Sequence, residues 1–264
     1  MDLIEKDRND AKKLLLLAAL TGKTMLKNGA ETYRVEDTIE RICKSRLGIK
    51  YADAFVTPTG IFLSLEYKGE MLTYLIRIKS IKIDLNKIDL VNEFSREFVN
   101  SNMLIEEGLE RLKAINKIEG FNTNTKNLFG ALACSFFALL FGGSFLDFIS
   151  TYLVSIVVLT VVGKISQHKM TFFINNIIGA SIASILSILA VNIGIGHNMD
   201  AIIIGSIMSL VPGVSITNAL RDTISGDFIS GSSRGMEAIF SALAIAFGVG
   251  IVLNIYYLES LKTQ

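Results

Sequence analysis

Five runs without a formal charge divide the back half of the chain: 127–146, 148–163, 170–196, 201–220 and 238–258. A helix rises about 1.5 Å per residue, so a bilayer core of about 30 Å takes roughly 20 apolar residues. Four runs reach that length outright, and the second reaches it with its flanks. Charges stand only at run ends, which avoids the ~2.5–3.5 kcal/mol that a charge costs at a helix centre. The pattern predicts five membrane-spanning helices, at 126–143, 145–163, 171–194, 200–220 and 236–258.

The front half alternates differently. Residues 9–28 read as a helix ended by Gly29, after which Asn28 is expected to cap a second helix with Glu31 reaching back to it. Val35, Ile39, Ile42 and Leu47 carry that helix to about residue 47, where Gly48 stops it. Strands follow at 51–57, 61–67 and 72–78, with turns at Thr57-Pro58-Thr59-Gly60 and Lys68-Gly69-Glu70. Ile61, Leu63, Leu65 and Tyr67 share one face of the middle strand. Ile88, Val91, Phe94 and Phe98 line a further helix with Asn86 as its expected cap, and Ile105, Leu109, Leu112 and Ile115 line another. The fold class is therefore a soluble α+β domain (residues 1–122, helices flanking a small antiparallel sheet) followed by an all-α polytopic bundle (residues 123–264).

Composition sharpens this division. Residues 1–126 hold 21 of the 26 Lys and Arg and 19 of the 25 acids, the balance of a water-soluble domain. The net charge of +1 gives no reason to expect nucleic acid as a partner. The apolar stretch 14–20 is too short to span, and it lacks the cleavage pattern of an export signal. Two cysteines, Cys43 and Cys134, and two distant histidines, His168 and His197, supply neither a disulfide framework nor a metal set, so no metal or cofactor is expected. Lys164, Lys169, Arg221 and Arg234 all fall on one side of the five-span arrangement and Lys262 on the other. The positive-inside rule then puts the soluble domain in the cytoplasm and the C-terminus outside.

Several features carry candidate chemistry. Small residues recur every four positions: Gly130, Cys134, Ala138 and Gly142; Gly179, Ala183 and Ser187; Gly205, Ser209 and Gly213; Ala242, Ala246 and Gly250. Such faces let helices pack closely in lipid, within this chain or against copies and partners of it. Pro212-Gly213 interrupts the fourth run and is followed by Ser215, Thr217 and Asn218. Proline removes a backbone donor, and irregular backbone at membrane depth survives only inside protein or beside a watery cavity, so this is either a kink or a substrate path. Asn175 and Asn176 either bond across helices or coordinate a polar substrate. The stretch 221–237 carries Arg221, Asp222, Asp227, Arg234 and Glu237 among glycines and serines. It reads as a solvated connector or as a proton-taking gate. A proton-coupled mechanism has only acids near run ends to use: Asp147, Asp200, Asp222, Asp227 or Glu237. Glu31, Arg34 and Glu36 at helical spacing read as a solvated face or as part of a site. With neither histidine in the soluble domain, no catalytic triad is available there.

These residues resemble the threonine/serine exporter family in its split, two-component form. The resemblance rests on Asn28-Gly29-Ala30-Glu31-Thr32-Tyr33-Arg34-Val35-Glu36, Phe55-Val56-Thr57-Pro58-Thr59, Ile83-Asp84-Leu85-Asn86-Lys87-Ile88, Val211-Pro212-Gly213 and Asn218-Ala219-Leu220-Arg221-Asp222. It implies a non-enzymatic, multi-pass protein of the cytoplasmic (inner) membrane that exports threonine, serine or a dicarboxylate such as succinate, driven by an ion gradient. Longer fused members carry a second group of spans that this chain lacks, which implies a small polytopic membrane subunit as partner, beside lipid and possible copies of the chain itself. A membrane-tethered enzyme or a regulatory scaffold acting through the N-terminal domain is the alternative.

Overall fold

The computed structural model describes residues 2–46, 48–167 and 171–262, with side chains described between residues 8 and 261. Leu47, His168, Lys169 and the side chain of Lys262, which enter the readings above, lie outside the described residues. The chain forms two compact units, one of residues 1–120 and 214–235, the other of residues 121–213 and 236–264.

In the first unit, α1 (Asp2–Lys27) and α2 (Thr32–Lys44) precede the strands β1 (Ile49–Thr57), β2 (Gly60–Tyr67) and β3 (Glu70–Arg77), and then α3 (Leu85–Asn100) and α4 (Ile105–Lys117). The sheet is antiparallel in the order β1-β2-β3, with Phe55 opposite Phe62 and Phe62 opposite Leu75. Period-two alternation puts Ile61, Leu63 and Leu65 in the core. The 14–20 stretch is core as well. Leu14, Leu15, Leu17, Ala18 and Ala19 are all buried, which is how an apolar segment too short for lipid is accommodated. Ile88, Val91, Phe94 and Phe98 of α3 and Leu112 and Ile115 of α4 complete that core.

Two expected caps differ. The N-cap of α2 is Glu31, without a side-chain cap bond, while the Asn28 amide donates to Thr24 O at 2.6 Å. Asp84, not Asn86, caps α3 by accepting from Lys87 N–H at 3.2 Å, because the helix starts one turn earlier than its apolar period shows.

The second unit contains α5 (Thr123–Leu140), α6 (Phe145–Ser166), α7 (Phe172–Asn192) and α8 (Met199–Ile207). The remaining helices are α9 (Gly213–Ile224), almost all in the first unit, and α10 (Phe228–Lys262), which begins in the first unit and continues into the second. Among the described residues, α6, α7 and α10 are each long and apolar enough to cross a membrane, and α8 with α9 counts as a fourth candidate if that broken pair is one span. The 18 residues of α5 begin with the polar stretch Thr123-Asn124-Thr125-Lys126-Asn127, so α5 does not belong to that set. The exteriors of these helices carry exposed Leu153, Ile185, Leu189, Phe240, Phe247 and Ile251. Apolar surface of that extent belongs in lipid, and the protein is a membrane protein.

Of the small-residue positions, Cys134, Ala138, Gly179, Ala183, Ser187 and Gly205 are buried. The expected stripe of the last helix is out of phase. Ala242, Ala246 and Gly250 are exposed, whereas Ser241, Ala244, Ile245 and Gly248 are buried. The helix turns Gly248 inward because α7 backs onto it, with Ser181 Oγ donating to Gly248 O at 3.2 Å. A side chain there would meet Ile177 O at 2.6 Å.

Candidate functional site

The site lies wholly within the first unit, where the α1–α2 turn meets the end of α9 and the start of α10. The chain reverses after α1 through Gly29, whose φ of +97° is open to glycine and strained for other residues. Ala30 N–H returns to Met25 O at 3.1 Å, and Asp84 N–H donates to Asn28 O at 3.1 Å. That turn aims the uncapped start of α2 at α9. From α9, the Asn218 amide donates to Gly29 O at 3.1 Å, and Asp222 Oδ1 accepts from Thr32 N–H at 3.3 Å. A carboxylate from 190 residues away thus satisfies a donor at the start of α2 that no local side chain reaches.

The stretch expected as a connector is mostly helix. Only residues 225–227 separate α9 from α10. Asp227 holds the junction: its N–H donates to Asp222 O at 2.8 Å, and its Oδ1 accepts from Ser230 N–H at 3.4 Å. Gly231 permits the tight approach, since a Cβ there would stand 2.2 Å from Thr223 Oγ1. Three polar residues of this stretch, Asp222, Ser230 and Arg234, are buried against tertiary partners, whereas Ser225, Ser232, Ser233 and Glu237 are exposed. Asp222 and Arg234 are buried, with Arg234 Nε 3.1 Å from Asp222 Oδ2 and Arg234 Nη2 donating to Ala30 O at 3.0 Å. The Nε–Oδ2 contact is an ion pair by distance but not an aligned hydrogen bond.

At the centre stands Thr32, fully buried. Its hydroxyl lies 2.9 Å from Asp222 Oδ1 and 2.8 Å from Asp227 Oδ2. A threonine hydroxyl has one hydrogen, so with both carboxyls ionised it can serve only one of them. One proton added to either carboxyl completes the chain: that carboxyl donates to Thr32 Oγ1, which donates to the other. Around this centre, Glu31 bridges two cations, with Arg221 on Oε1 and Arg34 Nη1 on Oε2 at 3.3 Å. Burial raises the Glu31 carboxyl, but its own backbone N–H, Arg34 and Arg221 outweigh burial and hold it below the ordinary range. Glu36 accepts from Val56 N–H at 2.8 Å. Burial pushes its carboxyl up, and the nearby Asp227, Glu40 and Asp53 charges add to that against the Val56 bond. Among the described residues, no group of three or more His, Cys, Asp or Glu side chains is placed to hold a metal ion.

The sequence of residues 16–256 matches a family described as "Putative threonine/serine exporter". The chain belongs to this exporter family. It is 23% identical over 95% of its length to the "Probable succinate transporter subunit YjjP" of Klebsiella aerogenes, covering 96% of that protein. It is 22% identical to the "Threonine/serine exporter" of Corynebacterium glutamicum over 94% of this chain and 52% of that one. A Schizosaccharomyces pombe protein, "Uncharacterized protein C16A10.01", is 23% identical over 69% of this chain and 23% of its own length. The chain thus spans nearly all of the first relative, about half of the second and under a quarter of the third. No solved structure matches. The family description and the names of the Klebsiella aerogenes and Corynebacterium glutamicum relatives indicate a transporter, not an enzyme.

For this family member, the structure brings together residues that the sequence presented as two groups. Gly29 and Glu31, the latter with Arg34, meet Asn218, Arg221, Asp222 and Asp227 in one network; Glu36 is tied in through Val56, and Asn28 bonds Thr24 and Asp84 instead. Thr32, Ser230 and Arg234 complete it; Arg234 stands among the charged residues of the 221–237 stretch and Thr32 lies inside the quoted motif, whereas no sequence pattern marks Ser230. The other candidates lie elsewhere. Ser215 is half-buried and Thr217 exposed on α9, and Pro212 and Gly213 stand at its start. Glu237 is exposed and belongs to the second unit. Asn175, on α7 of the second unit, is buried with Oδ1 unpartnered, and Asn176 beside it is half-buried. Asp147 is a latch: its two oxygens accept from Ser144 N–H and Oγ and from His197 and Asn198 N–H, at 2.6–2.9 Å.

Proposed function

We propose that the chain is one subunit of an ion-gradient-driven exporter of a small polar metabolite, threonine, serine or a dicarboxylate such as succinate. It sits in the cytoplasmic membrane beside a small polytopic partner subunit. In this reading five helices span, with the N-terminal domain in the cytoplasm and the C-terminus outside. The relatives named as exporter and as transporter subunit support the activity and the need for a partner. The observation that carries the coupling is the Asp222–Thr32–Asp227 chain, three oxygens that require one added proton to bond fully. Proton uptake there tightens the α1–α2 turn onto α9 and α10, and proton loss loosens it. Arg221 and Glu31 set the charge around it. The substrate crosses near the break at Pro212-Gly213, where the turn Met208–Leu210 and extended Val211 interrupt the helix, with Asn175 and Asn176 as polar contacts along the path.

Asp227→Asn tests this, because an amide donates to Thr32 permanently and mimics the protonated state. In vesicles holding this chain and its partner, the variant is expected to keep counterflow of labelled threonine, serine or succinate but to lose acceleration by a proton gradient. Proton-driven flux unchanged in both Asp222→Asn and Asp227→Asn would falsify the coupling role, while leaving export itself standing.

A further inference from the structure

A cleft of about 260 Å³ opens between α2 and α3, on the first unit. Its walls set three guanidinium groups, Arg34 and Arg41 from α2 and Arg96 from α3, against one carboxylate, Asp37. Two of the cations are partly answered. Arg41 Nε donates to Asp37 at 2.8 Å, and Arg34 reaches Glu31 at 3.3 Å. Arg96 has no ion-pair or hydrogen-bond partner among the described residues. The rest of the wall is Asn92, Asn100, the buried Ser95 and Thr38, and one apolar residue, half-buried Val99. Like charges converging on one cleft are unfavourable unless an anion completes them. A cleft of that volume has room for a compact oxyanion.

The geometry points to a phosphate dianion as the occupant, free or as the head of a phosphomonoester. Guanidinium forks approaching from two helices present donors in several planes, which suits a tetrahedral group with oxygens on all sides. A planar carboxylate uses one fork well and leaves the others idle. Arg34 is the link to the candidate site, because an anion in the cleft competes for it with Glu31, whose other oxygen holds Arg221.

The test uses the full chain in detergent, titrated calorimetrically with inorganic phosphate, glycerol 3-phosphate or succinate at constant ionic strength, and in nanodiscs with or without phosphatidate. One saturable phosphate site is expected, weakened about tenfold or more in Arg96→Gln, the loss of one charge-assisted contact. Lys113→Gln, on the surface of α4, is expected to bind as the parent does. Binding of inorganic phosphate identifies a soluble source, and binding confined to phosphatidate nanodiscs and lost in Arg96→Gln identifies a lipid headgroup; either upholds the site. No saturable binding in any arm, full affinity in Arg96→Gln, or succinate binding as tightly as phosphate overturns it. Arg96 is exposed, so its variant folds, and an unchanged melting midpoint checks this.

Discussion

Replacing Arg234 with methionine isolates the energetics of the candidate site. Arg234 is 5% exposed and Asp222 0%, so the substitution leaves a carboxylate in a low-dielectric interior without the cation that pairs with it among the described residues. Breaking a buried pair from one side typically costs about 3–5 kcal/mol. The Ala30 carbonyl also loses its donor, which adds about 1 kcal/mol. Cys43 provides the readout. Its thiol is fully buried on α2, and burial pushes its pKa up to about 12, so it reacts only when the helix opens. In a Cys134→Ser background, the labelling rate of Cys43 reports the opening equilibrium of α2. The combined loss of about 4–6 kcal/mol, at about 1.4 kcal/mol per decade, accelerates labelling roughly several hundredfold to twenty-thousandfold. The double variant Arg234→Met/Asp222→Asn removes both charges while keeping an acceptor for Thr32, and most of the loss is expected to return. A single-variant acceleration under about fivefold, equivalent to about 1 kcal/mol, refutes the reasoning. So does a double variant as labile as the single one.

Two glutamates should titrate with opposite signs. Glu31 is held below its ordinary value, so its contribution is present above about pH 4.3 and is lost as pH falls through the lowered folded value. Glu31→Gln is therefore less stable than the parent near neutrality, and the two converge in acid. Glu36 is held above its ordinary value, so ionising it in the fold carries a penalty near neutrality that disappears below about pH 4. Glu36→Gln, which keeps an acceptor for Val56 N–H, is more stable near neutrality and equal to the parent in acid. Cys43 labelling across a pH series separates the two, and parallel pH curves for both variants count against these assignments. Gly29→Ala forces a side chain into a left-handed conformation at φ +97°, costing about 1–2 kcal/mol. It is expected to lower the thermal midpoint without changing membrane insertion, and a midpoint equal to the parent's removes the turn from the account.

Local periodicity carried much of the fold. Alternation in Ile61, Leu63 and Leu65 gave the middle strand its inward face, and the 3.6-residue period gave α3 its four core residues. The phase of the last helix escaped because small residues every four positions fit more than one register. Ser241, Ala244 and Gly248 describe a face as plausible as Ala242, Ala246 and Gly250, and contact with α7 decides between them. The stretch after Ile224 looked like a loop because its glycines and serines weaken a helix in isolation. Tertiary bonds to Ala30, Thr32 and Val56 hold it as helix, although Asp227 three residues before Ser230 was a legible start signal. The candidate site was visible as residue types and not as an assembly. No pattern within a window of 18 residues relates Thr32 to Asp222, which are 190 positions apart.

The 35 residues of α10 run without interruption from the Asp227 junction, past buried Arg234, to the end of the last apolar run. At about 1.5 Å per residue it is about 52 Å long, whereas its apolar part, 238–258, accounts for about 31 Å. Only residues 235–237 stand between buried Arg234 and that uncharged run, so a turn melted at its near end would leave carbonyls that lipid cannot answer.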